Sequence, residues 1–228
     1  MNYYIDDFVT FGLLILSFII VLFAQVKIKI NYKKYKKIDN HSNISGADVA
    51  RMIIEKYNLN VYVVETSGEL TDHYNSKRKV IKLSSDIYNG TSIASIAVAA
   101  HEVGHAIQDK FGYKFMRFRT LLVPIVNFIS YAGYFGLIIS IFAGITGYLK
   151  ICLLAEFLTL LFQIITLPVE FDASSRAKKE LVDLNLVTPD EKIGVSKMLR
   201  AAALTYVASL ISIILNILRI ISFIKNDD

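Results

Sequence analysis

The sequence predicts a mainly α membrane protein, with four transmembrane helices joined to a small α+β domain on the cytoplasmic side. Three features of its 228 residues carry that expectation. Four long apolar runs supply the spans, a helix, strand, strand, helix pattern lies between the first two, and clusters of lysine and arginine flank the runs on one side. A hydrophobic fraction of 54% exceeds what a soluble domain needs. The remainder is too small to enclose four such helices as a soluble core.

Residues 8–26 carry no charge and form the first run. The sequence Leu22-Phe23-Ala24-Gln25 lacks a small-x-small cleavage pattern and a basic cluster follows, so residues 1–26 read as a retained signal-anchor span. Residues 27–119 form the α+β part. Ser45-Gly46-Ala47-Asp48 offers a capping-box-like start to an amphipathic helix reaching about Tyr57, with Val49, Met52, Ile53 and Ile54 as its apolar face. Val61-Tyr62-Val63-Val64 and Val80-Ile81-Lys82-Leu83 read as short strands separated by a polar segment, and the second is the candidate edge strand. The small apolar stretch Ala94-Ser95-Ile96-Ala97-Val98-Ala99-Ala100 suits a buried helix. His41, alone in a polar stretch, reads as solvated.

Residues 120–148 are uncharged and residues 151–169 carry only Glu156, so 120–169 reads as a transmembrane hairpin whose outer turn is near residues 144–147. Residues 170–200 form a cytoplasmic helical segment, and the uncharged run 201–218 begins a fourth span with a C-terminal tail to residue 228. Lys27, Lys29, Lys33, Lys34, Lys36 and Lys37 follow the first run, Lys114, Arg117 and Arg119 precede the second, and Arg176, Lys178, Lys179, Lys192, Lys197 and Arg200 lie between the third and fourth. By the positive-inside rule these flanks are cytoplasmic and the lipid bilayer is the protein's first partner. The net charge of +5 therefore reflects topology rather than nucleic-acid binding. A single cysteine, Cys152, excludes a disulfide framework and a cysteine-rich metal site.

The chemistry is concentrated in His101-Glu102-Val103-Gly104-His105. Two histidines four apart on a helix leave from one face and can reach one tetrahedral Zn²⁺, with the intervening glutamate placed as general base. Such a site points to a hydrolase acting on peptides or proteins, with one catalytic zinc ion and a strand edge able to accept an extended substrate. A catalytic zinc needs a third protein ligand. Glu156 and Glu170 are 14 residues apart, about 21 Å of helix, so only one can stand level with the metal. Glu170 sits at the expected cytoplasmic mouth, although an interfacial carboxylate paired with Arg176 or Lys178 is its alternative reading. His73 and Tyr206 are candidate donors to an oxyanion or substrate, against roles as a scaffold histidine and an interfacial tyrosine.

The stretch His101-Glu102-Val103-Gly104-His105-Ala106-Ile107-Gln108, followed by a hydrophobic hairpin and then by Pro168-Val169-Glu170-Phe171-Asp172-Ala173-Ser174-Ser175-Arg176-Ala177, resembles the YugP-type bacterial membrane neutral zinc metallopeptidases. Asp72-His73-Tyr74-Asn75, Val80-Ile81-Lys82-Leu83-Ser84 and Leu199-Arg200-Ala201-Ala202-Ala203-Leu204-Thr205-Tyr206-Val207 extend the resemblance. That family is similar in plan to the membrane gluzincins of the heat-shock membrane protease and CAAX prenyl protease group. The resemblance implies a zincin-like metallopeptidase domain with His101, His105 and Glu170 as metal ligands and Glu102 as base. It also exposes a departure: where the wider gluzincins carry an acidic residue four positions after the ligand glutamate, this chain has Ser174. Ser174 and Asp172 are thus candidates for orienting the ligands, with Asp172 on another helix face. The alternative from another class is a non-catalytic zinc-stabilised membrane scaffold or transport element, in which Glu156 serves an ion pathway.

Overall fold

The computed structural model describes residues 2–143 and 148–227, and within these the side chains of residues 2–7, 132–143, 148–150, 223 and 225–227 fall outside the description. Ten elements follow in order: α1 (Asn2–Tyr35), α2 (Gly46–Lys56), β1 (Tyr62–Thr66), β2 (His73–Asn75), β3 (Val80–Ser84), α3 (Ser85–Tyr88), α4 (Ile93–Lys110), α5 (Lys114–Ala143), α6 (Tyr148–Asp183) and α7 (Pro189–Asp227). Among the described residues, three helical stretches are long and apolar enough to cross a membrane: Phe8–Tyr35, Ile151–Asp183 and Pro189–Ser222. The expected second span enters α5, but the expected outer turn at 144–147 lies outside the described residues.

The chain divides into two compact units. One comprises Met1–Gln25, Phe118–Leu167 and Thr205–Asp228 and is almost wholly helical. Phe11, Phe18, Phe23, Leu121, Phe128 and Leu154 are exposed there, as lipid-facing side chains are. Within this unit α6 and α7 are tied by the Gln163 amide, which donates to the Tyr206 carbonyl at 2.9 Å. Thr159 and Ser209 return their hydroxyls to carbonyls four residues earlier, so neither presents an unsatisfied donor.

The other unit, Val26–Arg117 with Pro168–Leu204, is the α+β part. Helix α2 begins where its sequence signals: the Ser45 hydroxyl accepts from the Asp48 amide at 3.1 Å and donates to the Asp48 carboxylate at 2.6 Å. Val49, Ala50 and Ile53 turn inward, whereas Met52 is exposed and does not belong to the apolar face expected of it. The inward residues meet Ile81 and Leu83 of β3, Ile87 of α3, Ile96, Ala97, Ala100, Val103 and Ile107 of α4, and Ala177 and Leu181 of α6 in one core. Glu180 of α6 is buried yet paired, accepting from Lys56 Nζ and the Tyr57 hydroxyl at 2.5 Å each. His41 is more than solvated: its backbone amide donates to Glu191 Oε1 at 2.6 Å and its Nδ1 lies 2.8 Å from Glu191 Oε2.

The sheet corrects the expected edge. Its order is β1-β3-β2, so the Val80–Ser84 strand is central, parallel to β1 and antiparallel to β2. Ile81 and Leu83 have no exposed surface because their shared face of the sheet packs into the core. The edge beside α4 is β2, drawn from the polar segment that sequence periodicity reads as loop. Its pairing of Tyr74 with Ile81 fixes the register, and the Asn75 carbonyl oxygen Oδ1 accepts from the Arg78 amide to close the connecting turn.

Candidate metal centre

Helix α4 starts at Ser92, whose hydroxyl caps the Ser95 amide, and runs 18 residues to Lys110. Nearly its whole length is buried, which the run of small residues before His101 permits. Helix α6 packs against it in the opposite sense: Ser174 faces His101, Ala173 faces Gly104, Glu170 faces His105 and Val169 faces Gln108. The approach is close. A Cβ on Gly104 would stand 2.7 Å from the Ala173 carbonyl oxygen, so only glycine lets the two backbones meet there.

This crossing brings three donor groups together. His101 Nε2 lies 3.3 Å and His105 Nε2 3.6 Å from the same Glu170 oxygen, Oε2. One ligand atom from each of His101, His105 and Glu170 falls within 4.8 Å of the others. The histidine rings meet edge to face at 4.8 Å between centroids. Glu170 is 2% exposed, and the carboxylate that Arg176 holds, at 2.6 Å, is that of Asp172. Of the two cations in the alternative reading of Glu170, Arg176 is thus committed to Asp172, while Glu170 Oε2 faces the two histidines. Two imidazoles and a carboxylate form a donor set suited to zinc.

Both ligand-type histidines turn Nε2 toward this point and are held through Nδ1. Ser174 Oγ lies 3.2 Å from His101 Nδ1. Gln108 Oε1 lies 3.0 Å from His105 Nδ1. The Gln108 amide in turn donates at 2.8 Å to both the Val169 carbonyl and Asp172 Oδ2. Asp172 thus faces away from the histidines, as its helix position implies, and reaches them only through Gln108.

Glu102 is 7% exposed beside His101. Burial pushes its carboxyl up to about 7; the charge of His101 opposes the shift, and the Glu170 and Asp72 carboxylates reinforce it. The Tyr74 amide on the outer edge of β2 donates to Glu102 Oε2 at 2.9 Å. Two helical turns further along α4, Asp109 accepts from the Tyr74 hydroxyl at 2.7 Å and from Lys79 Nζ at 2.5 Å. Tyr74 therefore straps the edge strand to α4 from both its ends. Asp72, preceding β2, is half-buried against Ser84, whose amide and hydroxyl donate to Oδ1 at 2.7 and 3.0 Å.

His73 is exposed, with Nδ1 2.8 Å from the Thr71 carbonyl. A carbonyl only accepts, so Nδ1 carries a proton and the neutral ring offers Nε2 as an acceptor. Tyr206 belongs to the other compact unit. Sequence reasoning passed over Gly104, Gln108 and Tyr74. For Gln108 a signal existed, since it lies three residues after His105 on the same helical face.

A family model described as "Putative neutral zinc metallopeptidase" matches residues 10–225. The chain is also similar to the "Putative membrane protease YugP" of Bacillus subtilis (strain 168), with 40% identity over 220 residues that cover 96% of each chain. No solved structure matches it.

Proposed function

Since the chain belongs to the family described as "Putative neutral zinc metallopeptidase", we propose that it is an integral-membrane zinc-dependent endopeptidase that hydrolyses peptide bonds at the cytoplasmic membrane surface. The observation that carries this reading is the meeting of His101, His105 and Glu170 within 4.8 Å, with Glu102 buried beside them. On this reading the three residues hold one zinc ion and the protein crosses the membrane four times. Residues 27–119 and 170–200 lie on the lysine- and arginine-rich side, in keeping with the charge bias of their flanks.

When bound, zinc supplies Lewis acidity, polarising the scissile carbonyl and acidifying water. Glu102 takes the proton of the attacking water and returns it to the leaving amine. Burial raises this carboxyl in the metal-free chain, the direction that helps it hold the proton between the two halves of the task, and the charge of a bound cation would pull it back down. The bond from the Tyr74 amide fixes the rotation of the Glu102 carboxylate. Edge strand β2 replaces the central β3 as the place beside α4 where an extended peptide adds, through the outward Tyr74 carbonyl, since the Tyr74 amide is committed to Glu102. His73 serves as an oxyanion donor only when doubly protonated, since its Nδ1 proton is committed to Thr71. Ser174 and Gln108 orient the two histidines, and Tyr206 is a substrate-contact candidate that rests on the sequence alone.

The test combines zinc stoichiometry with cleavage of an unfolded protein by the purified full chain. Wild type is expected to hold one zinc and lose cleavage to a chelator. Glu102→Gln keeps the zinc and loses turnover by about 10²–10⁴-fold, the usual worth of a positioned base. His101→Ala, His105→Ala and Glu170→Ala each lose both. Stoichiometric zinc without chelator-sensitive cleavage would instead mark a zinc-stabilised scaffold.

A further inference from the structure

The hydrogen bonds around Gln108 have a definite polarity. Its side-chain nitrogen donates to the Val169 carbonyl and to Asp172 Oδ2, both at 2.8 Å. Neither partner can donate in return, because Val169 offers a peptide carbonyl and the Asp172 carboxylate is held by Arg176 Nε at 2.6 Å. The amide therefore has one orientation, with Oε1 toward His105 Nδ1 at 3.0 Å. An amide oxygen only accepts, so Nδ1 of His105 must carry the proton. Its Nε2, which faces Glu170 Oε2 at 3.6 Å, is then the ring nitrogen available to a metal. Ser174 imposes no such choice on His101, since a hydroxyl can donate or accept.

We infer that the Arg176, Asp172, Gln108 relay is a positioning device that holds the His105 ring by its Nδ1–H so that Nε2 is the nitrogen turned to the metal, and that the same amide pins the α6 backbone next to Glu170. Two ligands of the proposed site are thus set by one residue that touches neither substrate nor metal: His105 through its ring proton, and Glu170 through the carbonyl of its chain neighbour Val169. Residues that orient ligand histidines in this way are worth about 10–100-fold in metal affinity. The inference rests on the reading of His105 as a zinc ligand, but its first consequence belongs to the metal-free protein.

The chain has four histidines, so its ring nitrogens can be resolved by ¹⁵N labelling of histidine alone. In the metal-free full chain in nanodiscs, His105, assigned by loss of its signals in His105→Ala, should show a protonated Nδ1. Finding Nδ1 unprotonated overturns the inference. Gln108→Leu should lose the Nδ1–H preference and bind Zn²⁺ about 10–100-fold more weakly. Gln108→Glu sets one carboxylate against Asp172, and pairing it with Asp172→Asn replaces that repulsion by a bond of reversed direction while keeping an acceptor for His105 Nδ1, so the double variant should bind zinc more tightly than Gln108→Glu alone. Wild-type zinc affinity and tautomer in Gln108→Leu, or no rescue in the double variant, overturns the relay while leaving the zinc site standing. A wild-type protein that shows the expected tautomer but takes up no zinc sinks the proposed function and not the relay.

Discussion

Gly104 and Ala173 meet without a side chain between them, the position of a Cβ on Gly104 lying 2.7 Å from the Ala173 carbonyl oxygen and 3.2 Å from its Cα. The neighbours are backbone, so they cannot rotate away. Gly104→Ala must push α6 off α4 at the point where Glu170 faces His101 and His105. Overpacking of this kind costs about 1–3 kcal/mol, which a helical membrane protein can survive, while ligand geometry tolerates far less displacement. The expected result is retained helical circular dichroism with zinc affinity reduced at least about tenfold. Wild-type zinc binding in Gly104→Ala would show that the close approach does not set the site.

Lys56 and Tyr57 converge on Glu180, whose side chain is 3% exposed. Removing the cation alone leaves a buried carboxylate with a hydroxyl partner only, and losses in such cases run to about 3–5 kcal/mol. Lys56→Met should therefore unfold at markedly lower denaturant than wild type. Lys56→Met combined with Glu180→Gln should recover most of the loss, since the buried charge is gone. A double-mutant cycle on the full chain checks this, and additive losses would mean that the pair is not coupled.

Asp72 gives a pH dependence whose sign follows from its surroundings. Burial raises its pKa above the ordinary 3.8, against the lowering effect of the Ser84 amide and hydroxyl bonds. A carboxyl raised on folding favours the protonated form in the native state. Its stabilising contribution is complete below the unfolded value and is lost as pH rises through the folded one. Asp72→Asn keeps an acceptor for Ser84 and does not ionise. In the metal-free protein its thermal midpoint, compared with wild type, should therefore improve between pH 4 and pH 7. A difference that stays constant between these pH values would exclude titration of Asp72 as the cause.

How much of this was legible in the sequence differs by residue. The Ser45 cap and the shared face of His101 and His105 are local, set by spacing along one helix, and local rules reach them. Strand β2 was not legible because His73-Tyr74-Asn75 has no alternating apolar pattern; what makes it a strand is pairing with Ile81 across the turn. The same pairing turned the expected edge, Val80–Ser84, into the centre of the sheet. Met52 fits the apolar stripe of α2 by angle, yet it stays 37% exposed at the margin of the core. Gly104 and Gln108 look ordinary in sequence because each is explained by the other helix. A glycine inside a helix is unfavourable alone and acquires its reason only when α6 crosses at Ala173. The role proposed for Ser174 is similar, since a hydroxyl at 3.2 Å from His101 Nδ1 stands where the wider family resemblance would place an acid.

Topology provides the last prediction, because the proposed site can assemble only if the segment before the hairpin and the segment after it share one side of the membrane. His105 and Glu170, on opposite sides of that hairpin in sequence, already face one another at 3.6 Å. The basic flanks assign the shared side to the cytoplasm. Lys77 and Asp190 are exposed positions, one in the turn between β2 and β3 and the other in the first turn of α7. With Cys152 replaced by alanine, Lys77→Cys and Asp190→Cys should both resist a membrane-impermeant thiol reagent in intact cells and react once the membrane is permeabilised. Opposite labelling of the two would contradict a site built from His101, His105 and Glu170 in one protomer. Labelling of both from outside would keep the chemistry and invert its compartment, moving the peptide substrates to the outer surface.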